Sequence, residues 1–435
     1  MNKKLFFTAI FFVVSLNILA QNGWRVCTAP YFSSRVDDIF IIHGKTGYAV
    51  CGDGQIVKSI DSGNTWKTIF QDTNIYFRSV EFINEQKGFV GGFPNKDIHK
   101  NIFLKTVDGG NTWTDLTENL APIARNGICG LSVADTNTIY GCGNWFLDSA
   151  YIIKSTDGGN NWQLISMYSY ASSLIDMYFI NKDTGFVTGK SRSGDTLNTA
   201  KILYTTDGGS TWTTKFQNNN FDEYCWKIQR LTDQIYFASI QDFNDFNLTR
   251  PSILKSTDGG MSWTKYYVSD SLNNIEGIGF IDSLKGFTGG GKNGSFESGD
   301  GGRTWNASSV CPYMDRVFRV NDNVMFATGI QIWKYERGKN GNTGQVSNPQ
   351  YTNLKCFPNP VSKILTINLT LYRSTRAVLS IYDAAGKLVK LIDNSDKPAG
   401  NYQYFINTEN LAGGTYFVLL RTHEDKQLSR VIVSH

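Results

Sequence analysis

The sequence predicts an all-β protein in which a seven-bladed β-propeller is followed by a small Ig-like β-sandwich. Three observations lead to this prediction. A motif that ends in tryptophan occurs six times, at intervals of about 40–50 residues, which is the length of one propeller blade. Segments with the alternation of β-strands surround each motif. After Arg337 the composition changes, and a second set of strand patterns begins.

The repeated motif places an aspartate and one or two glycines ahead of each tryptophan. Its copies are SIDSGNTW (59–66), TVDGGNTW (106–113), STDGGNNW (155–162), TTDGGSTW (205–212), STDGGMSW (256–263) and SGDGGRTW (298–305). An aspartate in a turn accepts hydrogen bonds from backbone N–H groups that follow it, and glycine adopts positive φ angles at little cost. The tryptophan then buries a large apolar surface.

These aspartates and tryptophans are therefore expected to be structural rather than catalytic. The residues concerned are Asp61, Asp108, Asp157, Asp207, Asp258, Asp300, Trp66, Trp113, Trp162, Trp212, Trp263 and Trp305.

Each repeat contains the pattern of four strands. Segments such as MYFINKDTGFVTG (177–189) indicate two strands joined by a turn, a third strand precedes the motif, and the tryptophan opens a fourth. Residues 317–335 repeat the first three strands without a motif, whereas residues 23–29 resemble a fourth strand that lacks partners. Closure of the ring leaves no exposed sheet edge. We therefore predict that the N-terminal strand completes a seventh blade.

The repeated residues resemble the motif of a known family of propellers. The six motifs match the Asp-box, also called the bacterial neuraminidase repeat, and the whole repeat resembles the photosystem II assembly factor family of propellers over residues 23–337. In such families the boxes are scaffold, so the resemblance predicts fold rather than function. That family uses an arginine-rich patch for its partner. Arg35, Arg78, Arg125 and Arg316 lie near the starts of innermost strands, where they either line a channel mouth or are solvated or ion-paired between blades.

The N-terminal residues predict export. Lys3 and Lys4 precede an apolar run that ends before Ala20, which is typical of a secretory signal peptide spanning residues 1–20. No later segment is apolar enough to cross a membrane. The propeller then spans residues 21–337, and a Gly- and Asn-rich linker spans residues 338–351.

Residues 352–435 contain strand patterns separated by turns. FPNP (357–360), SIYDAAGKLV (380–389), LAGGTYFV (411–418) and VIVSH (431–435) resemble the type A C-terminal sorting domain of type IX secretion, the Por secretion system. The resemblance implies that the type IX machinery is a partner. It also implies passage through the periplasm to the outer-membrane surface or the medium.

Composition excludes several classes of partner. The net charge of +4 is too small to indicate a nucleic-acid ligand. The seven cysteines show no CxxC spacing, so no metal is expected, and no motif predicts a cofactor. If Val133 pairs with Thr138, Cys129 lies opposite Cys142, where the two form either a disulfide or a pair of buried thiols.

Loop lengths favour one face of the propeller as the functional face. On the face opposite the Asp-boxes, the loops 93–101, 143–150, 190–200 and 241–251 are long and fall in consecutive blades. Exposed aromatic residues beside carboxylates suit sugar or peptide recognition. The alternative is that these aromatics pack the loops onto the propeller. The expected ligand-binding residues are Phe93, Trp145, Phe146, Phe243 and Phe246.

Two classes of function follow. The first is a non-catalytic binding propeller that is secreted or held at the cell surface and recognises a glycan or a protein. The second is a glycoside hydrolase that uses a carboxylate pair, for which Asp242 and Asp245 are the nearest candidates. Repeats that resemble the assembly factor and lack a hydrolase signature favour binding.

Overall fold

The computed structural model describes residues 23–95, 100–143, 150–192, 199–220, 223–242, 250–270, 274–291, 294–338, 352–371, 375–398, 400–422 and 426–434. These residues form 35 β-strands and two short 3-10 helices, Thr117–Asn119 and Pro122–Asn126. The predicted all-β class is therefore confirmed. Within the described ranges, no helix has the length and apolar character needed to span a membrane.

The first strand pairs far along the chain, and the next strands form three sheets of four consecutive antiparallel strands. Sheet 1 contains β2–β5, sheet 2 contains β6–β9 and sheet 3 contains β10–β13. The strands are β1 (Trp24–Val26), β2 (Val36–Ile42), β3 (Thr46–Cys51), β4 (Gln55–Ser59), β5 (Lys67–Gln71), β6 (Ile75–Phe82), β7 (Gly88–Pro94), β8 (Phe103–Thr106), β9 (Thr114–Asp115), β10 (Ile128–Val133), β11 (Ile139–Gly143), β12 (Tyr151–Ser155) and β13 (Gln163–Ser166).

Four further sheets follow. Sheets 4, 5 and 6 contain β14–β17, β18–β21 and β22–β25, and sheet 7 has the order β1-β28-β27-β26. The strands are β14 (Ser173–Phe179), β15 (Gly185–Lys190), β16 (Ala200–Thr205), β17 (Thr213–Gln217), β18 (Glu223–Arg230), β19 (Tyr236–Asp242), β20 (Ser252–Ser256), β21 (Thr264–Tyr267), β22 (Gly277–Phe280), β23 (Gly286–Gly289), β24 (Ser295–Ser298), β25 (Asn306–Ser308), β26 (Arg316–Arg319), β27 (Val324–Thr328) and β28 (Ile332–Glu336).

Sheet 7 joins the two ends of this region. Trp24 lies opposite Tyr335 and Val26 lies opposite Trp333, in an antiparallel pair. The backbone N–H of Glu336 also donates to the carbonyl oxygen of Gly23. This is the pairing that the sequence predicts for the N-terminal strand.

The sheets contact one another in a closed circle. The first strand of each of sheets 1 to 6 contacts the first strand of the next sheet, and β26 of sheet 7 contacts β2 of sheet 1. Aromatic rings fill the space between neighbouring sheets. Tyr48 stacks on Phe82 with ring centroids 3.8 Å apart, and Tyr140 stacks on Phe179 at 3.5 Å. The second strand of every sheet contributes a buried aromatic ring: Tyr48, Phe89, Tyr140, Phe186, Phe237, Phe287 and Phe326.

The Asp-box turns connect the third and fourth strands of sheets 1 to 6. In the third box, Asp157 Oδ1 accepts hydrogen bonds from the backbone N–H groups of Asn160 and Asn161, both at 3.0 Å, and from the Ser155 hydroxyl at 2.8 Å. Gly158 and Gly159 have φ angles of 72° and 78°, which glycine adopts without the strain other residues incur. The carboxylate is thus occupied by its own turn.

Lysines on the third strands tie these turns to the neighbouring sheet. Lys58 Nζ donates to the Gly109 carbonyl oxygen at 2.7 Å, which connects sheet 1 to the box of sheet 2. Equivalent bonds run from Lys105 to Gly159, from Lys154 to Gly208 and from Lys255 to Gly301. The lysine stands at the same position of four repeats, so these bonds are a repeated feature of the ring.

The C-terminal residues form two further sheets. One has the order β29-β30-β33 and the other β32-β31-β34-β35. Their core contains Leu365, Ile367, Leu379, Val418 and Leu420, all buried. The strands are β29 (Thr352–Phe357), β30 (Ile364–Leu371), β31 (Thr375–Asp383), β32 (Leu388–Lys397), β33 (Gly400–Asn407), β34 (Gly414–Arg421) and β35 (Lys426–Val433).

The expected pairing of two cysteines is wrong. Val133 pairs with Ile139 rather than Thr138, and this register places Gly130 opposite Cys142. A bulge follows between Gly130 and Ile128. Cys129 is therefore the residue displaced by the bulge, and both thiols are free and buried. Of the two alternatives that the sequence left open, the structure has the buried thiols.

Candidate functional site

The centre of the ring is built by a bulge that recurs in the first strands of the sheets. Register shifts occur in β2, β6, β10, β14 and β18. A β-bulge re-aims the side chain of the displaced residue. In sheets 6 and 7 the position equivalent to the displaced residue is the one immediately before the first strand. These residues are Glu276 and Asp315, whose backbone N–H groups donate to the second strand of their own sheet. The residues at these positions are Asp37, Arg78, Cys129, Ile175, Trp226, Glu276 and Asp315.

Arg35 joins three carboxyl groups at this centre. Its Nη1 donates to Glu276 at 2.7 Å and to Asp315 at 3.2 Å, and its Nε lies 3.0 Å from Asp37 Oδ1. The Nε also donates to the Tyr76 hydroxyl oxygen at 2.8 Å. The three carboxyl groups are buried, whereas the Arg35 side chain is 28% exposed. Arg35 therefore covers a buried cluster of three carboxyl groups, while part of its own side chain stays exposed to solvent.

Arg78 fills the other half of the centre. It forms a buried ion pair with Asp37, and its guanidinium carbon lies 5.0 Å from the centroid of the Trp226 ring. Because Asp37, Arg78 and Trp226 belong to sheets 1, 2 and 5, the contact spans the ring. Trp226 also packs with Cys129 and Ile175, which gives the centre one charged side and one apolar side.

A second layer of charges lies one residue further along the first strands. Arg316 of sheet 7 contacts Asp176 of sheet 4 at 2.6 Å and Asp38 of sheet 1 at 3.1 Å. The two aspartates in turn accept backbone N–H bonds from Ile228 and Val80. Arg316 therefore connects sheet 7 both to its neighbour, sheet 1, and across the ring to sheet 4.

Burial changes the protonation of these groups. Desolvation raises the pKa of Asp315 well above its usual value, and the charge of Glu276 acts in the same direction, against the lowering effect of Arg35. Burial also raises the pKa of Asp38, although Arg316 opposes this. Asp315 therefore tends to hold its proton while Arg35 remains charged.

A pocket of about 260 Å³ opens above the centre. It is lined by Arg35, Tyr76, Arg78, Phe93, Pro94, Asn95 and Trp226. Phe93 and Pro94 end β7, and Ile75 at the start of β6 lies opposite Pro94. The Asp-box of the same sheet follows Thr106 at the far end of β8, which pairs with Gly88 at the start of β7. The pocket therefore lies on the face opposite the Asp-boxes.

The wall formed by Phe93 is fixed by a glycine. Gly127 has a φ angle of 137°, and a Cβ atom placed there would lie 1.9 Å from Cδ1 of Phe93. The Phe93 ring therefore rests directly on the backbone of the segment that leads into sheet 3. Any side chain at position 127 would displace it.

The four arginines of the sequence analysis have different positions. Arg35 and Arg78 line the pocket, and Arg316 lies in the layer below it. All four form ion pairs, which agrees with one of the alternatives. Arg125 lies apart from the other three: it pairs with Glu118 at 2.6 Å and donates to the carbonyl oxygens of Leu120 and Glu118 near the 3-10 helices.

One of the five expected ligand-binding residues, Phe93, belongs to the described residues. Phe93 lies at the pocket, but Trp145, Phe146, Phe243, Phe246 and Asp245 fall outside the described residues. Asp242 ends β19 and lies opposite Glu223. The grouping of these aromatics, and the Asp242–Asp245 pair, therefore stay predictions.

Sequence reasoning missed Tyr76, Asn95 and Trp226. Trp226 is an isolated tryptophan outside the repeated motif, and it stands four residues into a first strand, where a bulge turns it to the centre. The available signal was positional, since Asp37, Arg78 and Trp226 occupy equivalent places in their repeats.

Two family models match the chain. The model described as photosynthesis system II assembly factor YCF48 matches residues 16–132, and the model described as secretion system C-terminal sorting domain matches residues 355–434. The chain thus carries Asp-box repeats similar to those of the assembly factor, and a C-terminal sorting domain of type IX secretion, which indicates export and handling by that secretion system.

Solved structures with the same architecture are β-propellers. A structure titled YCF48 bound to D1 peptide is 17% identical, with a TM-score of 0.54 over 72% of this chain and 97% of that chain. YCF48 from Cyanidioschyzon merolae is 15% identical, with a TM-score of 0.55 over 72% and 99%. The GH74 enzyme of Niastella koreensis is 14% identical, with a TM-score of 0.56 over 95% and 75%.

At these identities the similarity defines the fold alone. The chain therefore contains a propeller, and both binding proteins and hydrolases occur among the proteins with that fold. The comparison with curated proteins returns no match.

Proposed function

We propose that the protein is an exported, non-catalytic binding propeller whose ligand enters the pocket above the centre of the ring. The observation that carries this proposal is the pocket itself. Its walls are aromatic, and its floor is the Arg78 and Trp226 pair, which ion pairs and packing hold in place. Side chains fixed before a ligand arrives need not be ordered on binding, which favours affinity.

The domain organisation belongs to the same proposal. Residues 1–20 are a signal peptide, residues 21–337 form a closed propeller of seven blades, residues 338–351 are a linker and residues 352–435 form an Ig-like sorting domain. Seven four-stranded sheets and the pairing of β1 with β28 support the blade count. The protein is delivered through the periplasm to the outer-membrane surface or the medium.

The same proposal assigns the Asp-box aspartates to the scaffold. Each carboxylate is engaged within its own turn, as Asp157 is by Asn160, Asn161 and Ser155. A carboxylate held in this way has little capacity left for a ligand.

Binding is favoured over hydrolysis by the state of the central carboxyl groups. A glycoside hydrolase needs two carboxyl groups that face the bond to be cleaved. Asp37, Glu276 and Asp315 are instead buried beneath Arg35 and are in contact with its guanidinium. The Asp242–Asp245 pair is the remaining hydrolase hypothesis, and an assay decides it.

The binding proposal is tested on the full chain without its signal peptide. A glycan array and a peptide array are screened in parallel with Phe93→Ala, and with Tyr168→Ala as the matched control, because Tyr168 is an exposed aromatic outside the pocket. We expect a ligand that is lost with Phe93→Ala and kept with Tyr168→Ala, at unchanged melting temperature. Absence of any Phe93-dependent ligand would refute the proposal. Turnover of a bound glycan that Asp245→Asn abolishes would establish the hydrolase instead.

Export is tested by deletion of residues 352–435. We expect the truncated chain to fold and to remain inside the outer membrane, because the sorting domain is the element that the secretion system handles. Fractionation with an antibody to the propeller measures this. Appearance of the truncated chain in the medium at the level of the full chain would show that another element directs export.

A further inference from the structure

Resting on the proposed function, we infer the chemical class of the ligand: the pocket takes one neutral sugar ring of a glycan, stacked on its aromatic walls and hydrogen-bonded to Arg35. Size, wall chemistry and charge each support this inference.

The size of the pocket fits one ring. Its volume of about 260 Å³ lies just below the range of about 300–1,000 Å³ that is usual for sites of drug-sized ligands. A monosaccharide unit is of that size, whereas an extended chain of several residues is not. A glycan would therefore enter end-on, with one ring inside.

The walls suit a sugar face. Tyr76 and Phe93 contribute partly exposed aromatic rings and Pro94 contributes an apolar ring, so most of the lining is apolar. Trp226 is buried beneath Arg78 and closes the floor. The C–H groups on one face of a pyranose are apolar and pack on aromatic rings, while its hydroxyl groups point outward around the edge. A pocket with apolar walls and a few placed polar groups recognises such a molecule through both features.

Polar groups remain available at the rim. Within the described residues, Arg35 uses Nε and Nη1 for its protein partners, and no acceptor contacts Nη2. The Asn95 side-chain amide donates to the Thr73 carbonyl oxygen at 3.5 Å, a long bond, and Oδ1 has no donor among those residues. A hydroxyl group both donates and accepts, so it can satisfy Arg35 and Asn95 together.

Charge argues against an ionic ligand. The guanidinium groups of Arg35 and Arg78 are balanced by Asp37, Glu276 and Asp315. Even with Asp315 protonated the cluster has no net positive charge, so a carboxylate or phosphate gains little from entering. A cation would meet the two guanidiniums first, because they line the pocket and the carboxyl groups lie behind them. The charges around the pocket therefore favour a neutral, polar ligand.

The experiment compares neutral and acidic ligands on the full chain without its signal peptide. Neutral oligosaccharides, uronic-acid oligosaccharides and acidic peptides that emerge from the arrays are titrated by calorimetry at about 0.05 M and about 0.5 M salt, which changes the screening length several-fold. We expect neutral oligosaccharides to bind, with affinities that salt changes by less than about twofold. Phe93→Ala should weaken them at least about tenfold, as removal of a central aromatic contact does, and Phe93→Tyr should restore most of the affinity.

The outcomes separate the two proposals. Phe93-dependent binding of acidic peptides or uronic acids, weakened by salt and absent for neutral sugars, would overturn the sugar assignment while leaving the binding function intact. If neutral sugars bind with an affinity that Phe93→Ala does not change, the sugar assignment is also overturned, since the sugar would then bind outside this pocket. No Phe93-dependent ligand of any class would overturn the binding function itself.

Discussion

In the Asp-box turns, each aspartate accepts hydrogen bonds from residues no more than four positions away, and the turn is exposed. At the centre of the ring, the aspartates are buried. Asp37 contacts the nearby Arg35, but its buried ion pair is with Arg78, 41 residues away, and Asp315 is 280 residues from Arg35. Both regions depend on carboxylates. In the turns the hydrogen-bond donors belong to the same short motif, whereas at the centre most partners come together only when the ring closes.

Removal of a carboxylate should therefore lower the free energy of unfolding by different amounts in the two regions. Loss of an exposed turn carboxylate leaves backbone groups that water can reach. Loss of a buried carboxylate leaves its guanidinium partner as an uncompensated buried charge, which costs several times more. Substitutions in the two regions therefore test whether the centre is as closed as its contacts indicate.

The largest expected effect is that of Asp37→Ala. The substitution leaves Arg78 buried without its carboxylate and removes one of the partners of Arg35. We expect a loss of about 3–5 kcal/mol in the free energy of unfolding, measured by urea denaturation. The control is Asp322→Ala, which breaks the exposed pair with Arg319 and should cost less than about 1 kcal/mol. Equal losses in the two variants would show that the centre is open to water.

Acid should lower the stability of the fold mainly by protonating the aspartates of the Asp-box turns. Hydrogen bonds, led by those from the residue four positions ahead, lower the pKa of Asp61, Asp108, Asp207, Asp258 and Asp300 to about 2. A lowered pKa in the folded state contributes stability that is complete above about pH 4 and is lost as the pH falls through about 2. The urea midpoint should therefore fall steeply between about pH 4 and pH 2. A flat profile across that interval would contradict the pKa directions.

One turn alone should show a smaller effect. In Asp300→Ala the backbone N–H groups of Arg303 and Thr304 lose their acceptor. We expect a loss of about 1–2 kcal/mol in the free energy of unfolding. Asp300→Asn keeps an oxygen in place and should recover most of it. Failure of the asparagine variant to recover stability would mean that the negative charge, and not the hydrogen bonds, stabilises the turn.

The same contrast explains how much the sequence could predict. The Asp-box is a local device, so its aspartate, glycines and tryptophan recur together and indicate the fold and the number of repeats. The pairing of β1 with β28 could also be predicted, because each half of the seventh sheet lacks the strands that the other supplies.

The pocket could be predicted only in part. Phe93 follows from the length of its loop, whereas Trp226 reaches the pocket through a bulge, which shifts the register by one position and leaves no mark in the composition. The predicted opposition of Cys129 and Cys142 is wrong for a different reason, because the hairpin pairs Val133 with Ile139 rather than with Thr138 and its whole register differs by one residue. Periodicity assigns side chains to faces, and a bulge reverses that assignment for the residue it displaces.

The smallest expected effect is that of Asp315→Asn, and it distinguishes this carboxyl group from its neighbour Asp37. Desolvation raises the pKa of Asp315 well above its usual value. A raised pKa in the folded state contributes stability that is fully present below about pH 4 and is lost as the pH rises through the folded-state pKa. Asparagine resembles the protonated form and retains an oxygen for Arg35 Nη1, which lies 3.2 Å from Asp315 Oδ1.

We therefore expect Asp315→Asn to change the free energy of unfolding by less than about 1 kcal/mol in mildly acidic buffer. As the pH rises the variant should become the more stable of the two chains, because only the wild type must ionise a buried group. Parallel urea titrations from about pH 5 to pH 9 measure the difference. If the wild type instead gains on the variant as the pH rises, Asp315 is ionised in the fold. The centre would then carry one more negative charge than the neutral-ligand inference assumes.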